Sequence, residues 1–388
     1  MADNMITMNV VAKNLGMDKS TVSLALRNDP RISAETKERV ISMVKALNYT
    51  PNNLARSLST GQRKTLGVMF PEMLGSFFGP MLDAMYDVAS AKGYVLSSYF
   101  CSWDSKREEA GIRQFCENRF DGILWAPSGE GKDIKNAASI VESMGLSMVL
   151  LGIFSEKHHF SRYNQVGIDE EDSIKLAFDY LHDLGHRDIA IATSSADRFH
   201  EALRLRVDRM LKYSALLGIS IPEHNILRTA VPAHGGVLIA SEIMKRPPSL
   251  RPTAILAVDD NLAKSLSVGF LSLGVKIPED ISILGYDNAE DDSKYPVPIT
   301  AVSLETAKTG LEATTLLLDL IEKRRPSDKT TIQRIEPEII IRSSCSTPRT
   351  VRLHARKDIP VLKRHAKGRV IPNAHFLCPS LINSKLKK

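Results

Sequence analysis

TMNVVAKNLGMDKSTVSLALRN, residues 7–28, is the stretch whose reading decides the fold. Val11, Ala12 and Leu15 give one short helix an apolar face. Gly16 then ends that helix where a left-handed residue is needed. Asp18 is placed to cap a second helix whose inward residues are Val22, Ala25 and Leu26. Lys19, Ser20, Thr21, Ser23 and Leu24 are left on the outer side, mostly short polar or basic. Such a face suits a helix that enters the phosphate-lined major groove of DNA. The same spacing also fits a plain helical hairpin that caps another domain. Ser33 is expected to cap a third helix over about 34–47, with Val40, Ile41, Val44 and Leu47 on its apolar side.

Charge is distributed unevenly along the 388 residues, and the distribution says more than the net +6. Residues 1–64 carry 10 basic against 5 acidic side chains, and residues 349–388 carry 11 against 1. The stretch between them is net −9. Both ends therefore suit a polyanion, while the body does not. Nothing at the N-terminus has the charged-then-apolar form of a signal peptide, and the longest apolar run, around Ser147–Phe154, is far too short for a bilayer. Cys101, Cys116, Cys345 and Cys378 show no close pairing, as expected of a reducing cytoplasm.

From Leu66 onward, apolar runs alternate with amphipathic stretches. Strands are predicted at 66–70, 94–99, 122–126, 148–152, 165–168, 189–193, 254–258 and 281–285, and helices at 79–92, 105–118, 172–184 and 261–273. Alternation at this spacing predicts two doubly wound α/β lobes, with a ligand held between them at the carboxyl ends of the strands.

Further matches run through YTPNNLARSL, residues 49–58. Val11-Ala12, Gly16, Thr21-Val22-Ser23, Ser33, Thr36, Arg39-Val40, Leu47, Tyr49, Pro51-Asn52 and Ala55-Arg56-Ser57-Leu58 follow one another without gaps. On these residues the chain resembles the LacI/GalR family of transcriptional regulators; at moderate strength the likeness continues over about 64–344. It implies an N-terminal all-α helix-turn-helix domain plus hinge helix, then an α/β two-lobed periplasmic-binding-protein-like effector domain. The boundaries expected are 1–50 for the DNA-binding domain, 51–63 for the linker with its hinge helix, 64–344 for effector binding and dimerisation, and 345–388 for a basic tail.

The resemblance also implies partners: a pseudo-palindromic double-stranded DNA operator, a small-molecule effector of the carbohydrate class, and a second copy of the chain. No cofactor, metal or membrane is implied. Base reading falls on Lys19, Ser20 and Leu24, and phosphate anchoring on Thr21, Ser23 and Arg31. Leu24 stands where many members carry arginine; it can touch a thymine methyl but cannot select guanine, and packing on a neighbouring helix is its alternative role. Asn52, Ala55 and Leu58 match the hinge helix, with Leu58 as the wedge in the minor groove. A helix this short does not persist alone, so separating two protomers releases DNA; an inert linker is the alternative.

For the effector, the resemblance points to Pro71, Phe77, Phe78, Arg206, Asp259 and Asp287. Together they offer an aromatic face, a forked donor and two acceptors, which fits vicinal hydroxyls. One of the adjacent phenylalanines is expected to be core. Departures from the family pattern include Arg209-Met210 for a glycine-aromatic pair, Gly152 for an acid, and Ser173 for a glycine, so the ligand can differ from a common hexose.

Other functions find less support. HExxH, GxSxG, GxGxxG and phosphate-loop motifs are missing, and Gly131-Lys132 lacks the residues a phosphate loop needs. His158-His159 reads as a solvated loop rather than a metal site. An enzyme on the α/β body is therefore disfavoured. A transport solute-binding protein would share the body but not residues 7–58. The tail, with Pro348, Pro360, Pro372 and Pro379 and no heptads, is expected to be disordered and either adds salt-sensitive DNA affinity or has no role.

Overall fold

The computed structural model describes residues 6–49, 63–73, 77–128, 131–154, 162–194, 200–230, 232–288, 295–323, 329–349 and 368–370. The chain divides into two compact units, Met1–Lys64 and Thr65–Lys388.

Among its described residues, the first unit holds three helices, α1 (Met8–Leu15), α2 (Lys19–Leu26) and α3 (Ala34–Ala46). Gly16 adopts φ 62° and ψ 32°, and its N–H bonds back to the last turn of α1, so a glycine is what lets the chain turn here. Val11, Ala12, Val22, Ala25, Val40 and Tyr49 form the buried centre, with Leu15, Leu26, Val44 and Leu47 packed partly against it. Ser33 caps α3 by accepting from Thr36 N. Two expectations change. Asp18 has the extended backbone of an N-cap, but its carboxylate accepts no hydrogen bond from α2, leaving those amide donors to other partners. Ile41 is 45% exposed, because the two preceding helices cover only the side of α3 that carries Val40 and Val44.

The second unit contains two sheets. In the first lobe β1 (Thr65–Phe70), β2 (Val95–Phe100), β3 (Gly122–Trp125), β4 (Ser147–Phe154), β5 (Gln165–Asp169) and β11 (Ile332–Ile335) lie in the order β11-β5-β4-β3-β1-β2, all parallel. The second lobe orders β13 (Gly368–Val370), β12 (Glu338–Ile341), β10 (Thr300–Ser303), β9 (Ser282–Asp287), β8 (Ala254–Ala257), β6 (Ile189–Ser194) and β7 (Ile226–Thr229). Among the described residues of this sheet, only the β10–β12 pair is antiparallel. Strands β3, β6 and β8 are buried along their whole length, as parallel strands covered by helices on both faces must be.

Helices α4 (Phe78–Ala91), α5 (Ser105–Glu117) and α6 (Gly131–Ser143) belong to the first lobe, and α7 (Glu170–Asp183), α8 (His200–Leu216), α9 (Pro232–Lys245) and α10 (Asp260–Ser272) to the second. The chain crosses between lobes after β5, after β10 and after β11. The second crossing sends α11 (Thr306–Ile321) back to the first lobe, against α4. Gly310 makes that contact possible, since a Cβ there would stand 2.3 Å from the Met81 carbonyl oxygen. All three crossings leave from carboxyl ends of strands, so the gap they span is the one onto which both sheets direct their strand ends.

The eight strands read from the sequence are present with ends shifted by one or two residues. Strands β7, β10, β11 and β12 were not expected; each has four residues, and β10 and β11 mix in Thr, Ser, Gln and Arg. Within the tail expected to be disordered, Gly368–Val370 pair in parallel with Ile339–Ile341 at the sheet edge.

Candidate functional site

In the helical unit, the core described above turns the other side of α2 outward. Lys19 and Ser20 are exposed, and Thr21, Ser23 and Leu24 are half-buried. Leu24 lies outside the apolar cluster that joins the helices. Ser23 Oγ accepts from Arg27 Nη2 at 3.1 Å. Arg31 makes a two-pronged pair with Asp29, Nε and Nη2 each 2.9 Å from a carboxylate oxygen, and this contact holds the Asp29 carboxyl well below the usual carboxylate range. A phosphate can reach Arg31 only by sharing or displacing Asp29, an exchange made easy by the exposure of the arginine. Asn52, Ala55 and Leu58 lie outside the described residues, as do His158 and His159.

In the two-lobed unit, the six expected effector residues form two groups. Pro71 is buried just past β1, and its carbonyl accepts from Trp103 N at 3.2 Å. Phe78, at the start of α4, stacks on Phe70 with centroids 4.7 Å apart, and Phe77 meets Phe78 edge-on at 5.0 Å. Both rings are half-buried, and both pack partly against the core.

The second group gathers around Arg206 of α8. Its Nε donates to Glu170 Oε1 at 3.0 Å, and its Nη1 donates to the Val258 carbonyl at 2.8 Å. The guanidinium also lies over the Tyr286 ring, 4.7 Å from the centroid. Glu170 takes a second cation, Arg209, on its other oxygen. The Tyr286 hydroxyl pairs with Ser173 Oγ, which donates to the Glu170 carbonyl at 2.8 Å. Thus two departures from the family pattern, Ser173 and Arg209, are parts of one buried network rather than isolated changes.

Asp287 ends β9 with φ 90°, a strained value for a side chain with a Cβ. Its Oδ1 is buried with no hydrogen-bond partner and stands 3.8 Å from Arg206 Nη1, near enough to feel the charge and too far to accept a bond. Burial pushes its pKa up to about 7, against the pull of Arg206 and with a further push from Asp259. Asp259 is raised too, by burial first, but its Oδ1 already accepts from Leu262 N at 2.8 Å as the N-cap of α10. Asp287 Oδ1 is, of these two residues, the buried oxygen left without a hydrogen-bond partner.

Glu170 and Tyr286 were missed as site residues. Glu170 sits in the run Glu170-Glu171-Asp172 at the start of α7, where acids answer the helix dipole and nothing marks one of them for another task. The first crossover is held beside it by Arg334 Nη1, which reaches Asp169 Oδ2 at 2.6 Å where β11 pairs with β5. Among the described residues, no group of His, Cys, Asp and Glu could hold a metal ion, and no helix is long and apolar enough to cross a membrane.

A helix-turn-helix unit with an open outer face, joined in one chain to a two-lobed binding-protein body, defines a class: ligand-responsive DNA-binding proteins. Residues 7–52 match the bacterial regulatory proteins of the lacI family, and residues 178–345 match the periplasmic binding protein-like domain. The chain thus carries a DNA-binding domain of the lacI family followed by a periplasmic binding protein-like domain. It is 27% identical over 340 residues to the HTH-type transcriptional repressor PurR of Vibrio parahaemolyticus, covering 88% of this chain and 98% of that one. The PurR of Vibrio atlanticus is 28% identical over 346 residues, covering 88% and 99%. Among solved structures, the Lac repressor dimer bound to operator and the anti-inducer ONPF superposes with a TM-score of 0.74 at 22% identity, over 88% of this chain and all of that one. A LacI-family regulator from Enterococcus faecium with bound ribose gives 0.60 at 23%, over 73% and 99%.

Proposed function

We propose that two copies of the chain bind a two-fold DNA site as a repressor, and that a small, hydroxyl-rich effector, a sugar or sugar derivative, sets the affinity. What carries the effector reading is Asp287: a strained, buried carboxyl whose Oδ1 has no hydrogen-bond partner. Such an acceptor suits a ligand that brings its own O–H donors. Phe77 and Phe78 supply the flat apolar face across the gap, and Arg206 is held in place by Glu170 and Val258. The ribose bound by the Enterococcus faecium relative supports the same ligand class.

Lys19, Ser20 and Leu24 are the base-reading residues in this reading, Thr21, Ser23 and Arg31 the phosphate anchors, and Asn52, Ala55 and Leu58 the hinge. Pairing of two copies is supported on the second lobe. Gly269 brings α10 against the α9 backbone at Val237, and beside that contact Val237, Leu238, Val268 and Leu271 stay exposed. Apolar side chains grouped on two adjoining helices suit burial against a partner.

The effector test is a melting-temperature screen of the full chain against neutral sugars and purine bases, repeated on Asp287→Asn. Stabilisation by a neutral sugar, lost in the variant, is the expected outcome. Stabilisation by a purine base alone overturns the sugar reading, and stabilisation by no compound overturns effector control by either class.

A further inference from the structure

Helix α8 presents two different faces to two different places. Arg206, Arg209 and Met210 face the buried network at the gap between lobes or the core. Arg204, Val207, Asp208 and Leu211, spaced at i, i+3, i+4 and i+7, form a separate face. That face walls a cavity of about 200 Å³ whose other side is the end of β6 and the strand β7. Its volume equals that of about six or seven waters, enough for a small phosphorylated polyol and too little for a nucleotide.

The lining is chemically built. Thr193, paired in register with Arg228 across β6 and β7, is 4% exposed, and its Oγ1 has no hydrogen-bond partner. A buried hydroxyl without a partner has given up its hydrogen bonds to water for nothing, a cost that a polar ligand group would relieve. Arg204 and Arg228 bring two guanidinium groups to the cavity, each paired with a carboxylate: Arg204 with Asp208 at 3.0 Å, Arg228 with Glu223 at 2.6 Å. All four of these side chains are about half exposed or more, so the pairs are of the weak, easily exchanged kind. Val207 and Leu211 supply an aliphatic wall.

We propose that this cavity is a second small-molecule site, distinct from the gap between lobes, and that it takes a phosphate monoester of a small polyol. The phosphate exchanges with Asp208 and Glu223 for the forked donors of Arg204 and Arg228, which match its oxygens two at a time. The displaced carboxylates then accept from the polyol hydroxyls, and Thr193 lies at the inner end. Because the same helix carries Arg206 on its other face, a ligand that fixes α8 against β6 and β7 also fixes the arginine of the first site. Occupation of the two sites is therefore coupled, and by linkage each ligand changes the affinity of the other by the same factor.

The test is calorimetric titration of the full chain with glycerol 3-phosphate and with glucose 6-phosphate at constant ionic strength. Wild type, Arg228→Gln, Thr193→Val and Asp287→Asn are compared. Thr193→Val keeps the shape of the side chain and removes only the unpartnered hydroxyl, so it tests the site without threatening the fold. At least one of the two probes should bind, weakened about tenfold or more by Arg228→Gln. Thr193→Val should weaken it several-fold, and Asp287→Asn should leave a measurable site. Binding lost in Asp287→Asn but kept in Arg228→Gln places the phosphate in the gap between lobes and overturns the proposal. So does the failure of both probes to bind the wild type at millimolar concentration.

Discussion

Glu170→Gln is the most revealing single change in the body. Among the described residues, the Glu170 carboxylate is the only anion hydrogen-bonded to Arg206, and it holds Arg209 as well; the side chains are 6%, 10% and 18% exposed. Glutamine keeps the shape but leaves two guanidinium groups partly buried with their charge unanswered. Removing one partner of a buried ion pair costs about 3–5 kcal/mol, far more than the pair contributes net against a well-packed apolar substitute. At about 2 °C per kcal/mol for a body of this size, melting should fall by about 6–10 °C. Urea unfolding should show a lower midpoint with an unchanged slope. Adding Arg209→Met to the variant removes one unanswered charge and should return about 1–3 kcal/mol as a positive coupling in the double-mutant cycle. A loss below about 1 kcal/mol would refute the reasoning, since the network would then be no more than a solvated surface pair.

The remaining predictions concern pH and base reading. The Asp287 carboxyl titrates at 3.8 in the unfolded chain and is pushed up to about 7 by burial in the fold, so the folded state holds the extra proton between those values. Stability should accordingly fall as pH rises from about 4 to about 7, and Asp287→Asn should flatten that slope in urea titrations. His186 behaves in the opposite sense. Its Nε2 donates to the Ser346 carbonyl at 2.9 Å, and burial lowers its pKa from 6.5 to about 4, so stability is lost as pH falls through that window. In the Asp287→Asn background, where the opposing slope is gone, the loss should approach about 3 kcal/mol near pH 4, and a flat profile there contradicts the burial of a neutral imidazole. Lys19→Ala should relax base preference at one position of each half-site, seen in competition shifts with mutated DNA; a loss equal for all sequences would make Lys19 a phosphate contact.

How much of this was legible in the sequence depends on the range over which each feature is decided. Runs such as Ile189–Thr193 and Ala254–Val258 are apolar on both faces, so burial alone announces them. Strands β7 (ILRT), β10 (TAVS) and β11 (IQRI) carry too little apolar character to stand out, and they exist because a neighbouring strand is in place to pair with them. The helical unit could be read closely because its core is local: Val11, Val22 and Val40 meet within 30 residues of chain. The gap between lobes could be read only in part. Arg206 and Asp287 stood out through the family pattern, while Glu170 and Tyr286 join them across 36 and 80 residues of sequence, a distance no short motif spans. Ser173 and Arg209 looked like flaws in a pattern, and their meaning appeared only when each was seen bonded to its partner. Asp259 has a second task that its sequence position does not show: one of its carboxylate oxygens caps α10.

The central claim is that α2 reads DNA from two copies of the chain at once. Selection of bound duplexes from a random pool by the full-length chain tests it most directly. The expected result is enrichment of one motif with two inverted half-sites, bound by two chains, with Lys19→Ala altering one position in each half. A pool that stays random after repeated rounds, or a single half-site bound by one chain, would contradict it.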